Sequence, residues 1–183
     1  MTKHLSATEL EAGLDKIRQS PKDNGTLDMI VRRPDVDERE VLGQGKLDIV
    51  EGLVGDTWKS RGSSRTDDGS AHPDMQLNIM NSRVISLVAT SRERWPLAGD
   101  QLFIDLDLSE ENLPPGTRLE LGTAAIEVTA IPHTGCKKFV ERFGLDAMKF
   151  VNSGINNLKL RGVNAKVVRA GLVRAGDKIR KQA

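Results

Sequence analysis

Ala124-Ala125-Ile126-Glu127-Val128-Thr129-Ala130-Ile131-Pro132-His133-Thr134-Gly135-Cys136-Lys137-Lys138-Phe139 is the stretch around which the chain is organised. Ile126, Val128 and Ala130 alternate with Glu127, Thr129 and Ile131, the period-2 pattern of a strand with one face on a core. Pro132 cannot donate to a sheet ladder and ends the run. The chain then turns through His133, Thr134 and Gly135 before Phe139, Val140 and Phe143 take up helical spacing. Cys136 is therefore expected on the first turn of a helix. There, unpaired N–H groups and the positive end of the dipole favour a thiolate, and Lys137, Lys138 and His133 add positive charge. A lone cysteine is most often a small buried hydrophobe, and spacing alone leaves that alternative open.

Moving outward, Arg118 to Gly122 and the strand from Thr123 read as a hairpin, preceded by the rigid turn Pro114-Pro115-Gly116. Gln101 to Leu108 is the clearest strand: Leu102, Ile104, Leu106 and Leu108 face one way, with Phe103, Asp105 and Asp107 opposite. Asp100, Asp105 and Asp107 are read as solvated, and no metal is assigned to them. Val163, Ala165 and Val167 alternate in a later strand, and Ala170-Gly171 turns into a last one. Many short strands punctuated by glycine, with few helices, predict a closed or nearly closed sheet. Pattern alone does not separate this from an α+β sandwich.

Upstream, Ser6 and Glu9 form a capping box ahead of Leu10, Leu14 and Ile17, an amphipathic helix closed by Ser20-Pro21. Leu27, Met29 and Val31 predict a strand ended by Arg32-Arg33-Pro34, with both arginines facing water. Residues 36–41 read as an edge strand or a loop. Val84, Leu87 and Val88 predict a helix running to about Arg92. Residues 58–74 are almost wholly polar, and loops of that length are usually lids or disordered insertions. Their serines, glycines and arginines suit a lid that orders over an anionic ligand; a polar insertion that binds nothing is the equal alternative.

The length of 183 residues fits one domain with its own core. Lys plus Arg number 27 against 26 for Asp plus Glu, so the net charge of +1 gives no overall field for nucleic acid or membrane. Aromatic content of 3% with no tyrosine leaves few stacking surfaces for bases. A single cysteine excludes an intrachain disulfide, and no apolar run has the length of a membrane span. A cytoplasmic location is expected, with no nucleic acid and no membrane as partner.

Several blocks carry a family resemblance. They are Gly52-Leu53-Val54-Gly55-Asp56, His72-Pro73-Asp74, Gly99-Asp100-Gln101-Leu102, Leu119-Glu120-Leu121-Gly122 with the strand to Cys136-Lys137, and Arg161-Gly162-Val163-Asn164-Ala165-Lys166-Val167 followed by Gly171 and Gly176-Asp177. Taken in order, they resemble the MOSC domain, the molybdenum cofactor sulfurase C-terminal type of module. Asp100 and Gln101 stand where that family usually has glutamate and asparagine. The resemblance implies a mainly β fold, a MOSC-like β-barrel with a few peripheral α-helices. It implies one domain over residues 1–183, with a helical extension at 1–22 and a family-like core at 41–180.

It also implies molybdenum cofactor (molybdopterin), with Cys136 as the thiolate ligand of the metal in an oxotransfer or reductase module. A soft thiolate suits that centre, and basic groups suit a pterin phosphate. Lys59, Arg61, His72, His133, Lys137 and Arg161 are the candidates to hold it. Sulfur transfer through a Cys136 persulfide is the alternative within the family, with a cysteine desulfurase as partner in place of a redox partner. Outside the family, a cysteine hydrolase would use His133 as base, but no acid partner for His133 is evident from the sequence. A non-catalytic binding module with Cys136 merely packed is the remaining class.

Overall fold

Strand β1 (Gly25–Arg32) is where the sheet closes on itself. One side pairs antiparallel with β6 (Leu102–Asp105). The other side pairs at its start with β11 (Lys178–Lys181) and at its end with β2 (Glu40–Leu42). These strands belong to a computed structural model that describes residues 4–182. The ring is completed by β5 (Leu77–Asn81), β9 (Val163–Arg169), β8 (Ala124–Val128) and β7 (Arg118–Leu121), in the order β1-β6-β5-β9-β8-β7-β11 and back to β1. Seven strands thus form a closed barrel, which leaves the ring itself without an open edge. A small second sheet of β3 (Gln44–Asp48), β4 (Gly52–Leu53) and β10 (Gly171–Arg174) adds Leu47, Leu53 and Val173 to the barrel's interior cluster.

The alternation read from Leu102, Ile104, Leu106 and Leu108 holds: all four lie inside the barrel, with Ile126, Val128, Val163, Ala165 and Val167. Each such buried aliphatic side chain contributes about 1.5–3 kcal/mol relative to exposure. Phe103 points the other way, into a second core between the barrel wall and the helices. In β1 the simple alternation fails. The register with β6 shifts between Leu27 and Met29, a bulge that sends Leu27 and Ile30 inward and Met29 and Val31 to the helix-covered face.

That second core is covered by α1 (Ala7–Ala12), α2 (Leu14–Arg18), α4 (Ser82–Ala89), α5 (Lys137–Phe143) and α6 (Leu145–Val151). The predicted capping box forms, with the Ser6 amide donating to Glu9 at 2.8 Å and the Glu9 amide to Ser6 Oγ at 3.4 Å. The first helix is interrupted at Gly13, so Leu10 lies on α1, and Leu14 and Ile17 on α2. Helix α4 stops at Ala89, short of Arg92, because Thr90 adopts the left-handed conformation; a 3-10 segment, Arg92–Ala98, follows. β5 and β6 pair in parallel, and α4 with this 3-10 segment forms the crossover that parallel strands require.

Residues 58–74 are not one open loop. They begin with α3 (Trp58–Arg61) and end in a 3-10 turn at Pro73–Met75, and the part between bonds to itself, with Thr66 Oγ1 donating to the Ser70 carbonyl at 2.6 Å and the Ser63 amide to the Gly69 carbonyl at 3.3 Å. Among the described residues, no helix is long and apolar enough to cross a membrane.

Candidate active-site cleft

A cleft of about 340 Å³ opens between the loop at residues 34–39, helix α3 and the start of α5, a size suited to a small-molecule ligand. Its walls carry Arg33, Arg39, Arg61, Lys138, Arg142 and Arg161 against the acids Asp35 and Asp37, and Cys136 is at its edge. Even with Asp56 and Asp100 counted against Arg33 and Arg161, cations outnumber acids around the cleft, so it is locally positive in a chain whose net charge is only +1.

Two buried ion pairs form the floor. Arg33 is buried rather than solvated: it donates from NH2 to Asp56 Oδ2 at 2.6 Å, from Nε to Asp56 Oδ1 at 2.9 Å, and from NH1 to the Gly99 carbonyl at 2.8 Å. Met29 and Val31 share the helix-covered face after the β1 bulge, and Arg33 continues their alternation. That parity was the available signal for its burial. The second pair is Arg161 with Asp100, whose carboxylate also receives His133 Nε2 at 2.7 Å. Asp100 is 0% exposed, so the solvated strand-face reading of this residue is overturned. Gln101, the neighbour of Asp100 in sequence, braces the first pair, donating to Asp56 at 3.3 Å and to the Gln76 carbonyl at 3.0 Å while accepting from the Asn78 amide at 2.8 Å.

Burial is the largest influence and works to raise the Asp100 pKa, but the Arg161 guanidinium and the His133 contact together outweigh it and hold the carboxyl below its ordinary range. His133 moves down, through burial first and then repulsion from Arg161, which keeps the imidazole neutral. A neutral ring donates Nε2–H to Asp100 and leaves Nδ1 as an acceptor. Asp100 is thus the acid partner that the sequence did not reveal for His133. Among the described residues no hydrogen bond joins His133 to Cys136, and His133 does not line the cleft.

Cys136 is exposed and is the N-cap of α5, one position before the first helical turn on which it was expected. The turn ahead of it is clamped by Asn152, whose Oδ1 accepts from the Gly135 amide at 2.8 Å and whose Nδ2 donates to the Gly135 carbonyl at 3.3 Å.

Of the residues singled out from sequence, the structure brings Cys136, Arg61 and Arg161 into one cleft, with Lys138 beside them. Lys59 and Lys137 are exposed and outside its lining. His72 caps the 3-10 turn by accepting the Asp74 amide at 3.2 Å, and His133 supports the floor from behind. Arg33, Arg39 and Arg142 carried no local signal as site residues, because only long-range packing brings them here.

The cleft has the donors a phosphate-bearing anion needs. Arg161 is 6% exposed, its Nε is buried without a partner, and Arg39 Nε is in the same state. Burial, then repulsion from Arg142 and Arg33, lowers the Arg39 pKa, the mark of cations crowded together without enough counter-charge. Among the described residues no group of three or more His, Cys, Asp or Glu could hold a metal ion. A metal at Cys136 would have to bring its other ligands with it, as one carried in an organic cofactor does.

A closed barrel with flanking helices sets the fold class, and the comparisons agree with it. The MOSC domain model matches residues 68–180, more than half of the chain, and the chain belongs to the MOSC domain family. YuaD protein from Bacillus subtilis superposes with a TM-score of 0.64 at 17% identity, covering 85% of this chain and 94% of that one. YiiM from Escherichia coli gives 0.53 at 21% identity, covering 86% and 70%, and YiiM from Geobacillus stearothermophilus 0.57 at 13%, covering 87% and 75%. At these identities the likeness is one of fold. No curated protein sequence gave a significant match.

Proposed function

We propose that this cleft binds a molybdenum-pterin cofactor, with Cys136 as the protein's thiolate ligand and the arginines around it as the seat of the cofactor's phosphate. The observation that carries this reading is the convergence of an exposed thiol with Arg39 and Arg161, both presenting buried Nε donors without partners. A buried donor left unpaired costs free energy, and an incoming anion removes that cost. Arg161, held by Asp100 and the Ala98 carbonyl at 3.0 Å, is pre-oriented to receive one. Bound there, the cofactor would supply a redox-active metal centre for oxygen-atom transfer, which makes an oxotransfer or reductase module with a redox partner the preferred activity. A cytoplasmic setting accords with the free thiol.

The exposure of Cys136 also favours a second reading, a sulfur carrier that receives a persulfide from a cysteine desulfurase. Metal, pterin and intact mass measured on one sample from a cofactor-competent host separate the two. Cofactor binding gives molybdenum and pterin that Cys136→Ser loses while its unfolding curve is unchanged. Sulfur carriage gives a cyanide-labile adduct of one sulfur atom and no metal.

A further inference from the structure

The loop at residues 34–39 runs along the mouth of the cleft from the end of β1 to β2, with Val36 75% exposed. Its other side-chain and backbone bonds are internal: the Val36 amide donates to Asp35 Oδ1 at 2.6 Å, the Glu38 amide to the Asp35 carbonyl at 3.2 Å. Among the described residues, Asp37 alone makes hydrogen bonds from it to the far wall. Its Oδ1 receives Lys138 Nζ and Arg142 NH2, each at 3.1 Å, across a sequence separation of 101 and 105 residues. Asp37 makes this contact from a left-handed backbone conformation (φ 60°), which a non-glycine residue seldom adopts. Arg142 is held on its other side by the Leu97 carbonyl at 2.8 Å, so its position does not depend on Asp37.

An exposed carboxylate on a short loop, inserted between Arg142, which the Leu97 carbonyl holds, and Lys138, occupies the place an anionic ligand would take in an otherwise positive cleft. We propose that Lys138 and Arg142 form a second anion subsite, for a further anionic group of the cleft's ligand, and that Asp37 fills it until the ligand displaces the turn at 35–38, Arg39 staying in the cleft wall. The inference rests on the reading of the cleft as a seat for a phosphate-bearing anion, and adds where a second anionic group is held and what competes with it. Ion pairs made by an exposed carboxylate such as Asp37 are weak enough to exchange, whereas the buried Arg33–Asp56 and Arg161–Asp100 pairs beneath stay intact.

The test uses the full chain and inorganic pyrophosphate. Calorimetric titration is expected to show Asp37→Asn binding about three- to tenfold more tightly than the wild type, because two weak ion pairs no longer compete. Lys138→Gln and Arg142→Gln should each bind several-fold more weakly. Hydrogen exchange at 36–38 should quicken when pyrophosphate is added, the reverse of a lid that closes. Unchanged or weaker binding by Asp37→Asn, slower exchange of the loop, or no binding by wild type and Asp37→Asn alike would each overturn the subsite. Metal and pterin content are read separately. A cofactor-loaded protein with an indifferent Asp37→Asn variant sinks this inference alone, and a metal-free protein with the expected pyrophosphate behaviour sinks only the cofactor reading.

Discussion

Arg161 donates from one guanidinium nitrogen to both oxygens of Asp100, at 2.9 and 2.8 Å, in a setting where both side chains are almost wholly buried. Removing the acid strands a cation in low dielectric. Asp100→Ala should therefore destabilise the protein by about 3–5 kcal/mol. Asp100→Asn, which retains a hydrogen-bond acceptor, should cost less. Urea unfolding of both variants checks the order.

The same cluster makes stability fall in mild acid. His133 has a folded pKa below its ordinary 6.5, so once the pH drops past that value the unfolded chain takes up a proton the folded chain refuses. Asp100 is also depressed, and its contribution is present above its ordinary 3.8 and is lost as the pH falls through the lower folded value. Both act in one direction, in successive windows. Unfolding midpoints at pH 8, 6.5 and 5 should be flat and then decline, and His133→Asn should remove the decline between 6.5 and 5.

Asp56 holds Arg33 and also accepts the Trp58 amide at 3.0 Å, which fixes the start of α3 and with it Arg61 in the cleft wall. Asp56→Ala should cost about 3–5 kcal/mol in denaturant, as expected when one partner of a buried pair is removed. It should also weaken pyrophosphate binding.

Much of the barrel was legible and its seams were not. Alternation in Leu102–Leu108 and in Val163–Val167 identified the inward faces, although β6 ends at Asp105 and Leu106 and Leu108 reach the same core from the irregular chain after it. In β1 the bulge at Asp28 resets the parity, so the same method puts Leu27 on the face of Met29; the reading of Arg33 as solvated weighs its charge above the Met29–Val31 parity that it continues. Cys136 was legible from its own neighbourhood, a strand end followed by a helix start. Arg142, Asp37 and Arg39 were not, since their roles arise from contacts more than a hundred residues apart or from burial that no local pattern encodes.

Cys136 is predicted to react with iodoacetamide in the native protein, being exposed. Because it shares the cleft with the cations that would hold pyrophosphate, that ligand at ten times its dissociation constant should slow alkylation about tenfold. Equal rates with and without pyrophosphate would separate the thiol from the anion site.

Gly162 follows Arg161 with φ of 108°, and a Cβ there would collide with the Ile79 carbonyl of β5. Gly162→Ala combines backbone strain with a clash against main chain, and should cost more than about 2 kcal/mol. Thermal unfolding gives the value.

The pairing of Thr26 with Lys178 that shuts the ring joins residues 152 positions apart. Loop-closure entropy grows only slowly with such a span, but contacts this distant in sequence form late and slow the passage to the native state. On the ribosome, the start of β1 has its β11-side edge unpaired until residues 176–181 emerge, whose Gly176 and Ile179 complete the seam. Throughout that interval the nascent chain presents an open sheet edge to its neighbours, so aggregation competes with folding at the step where the last stave docks.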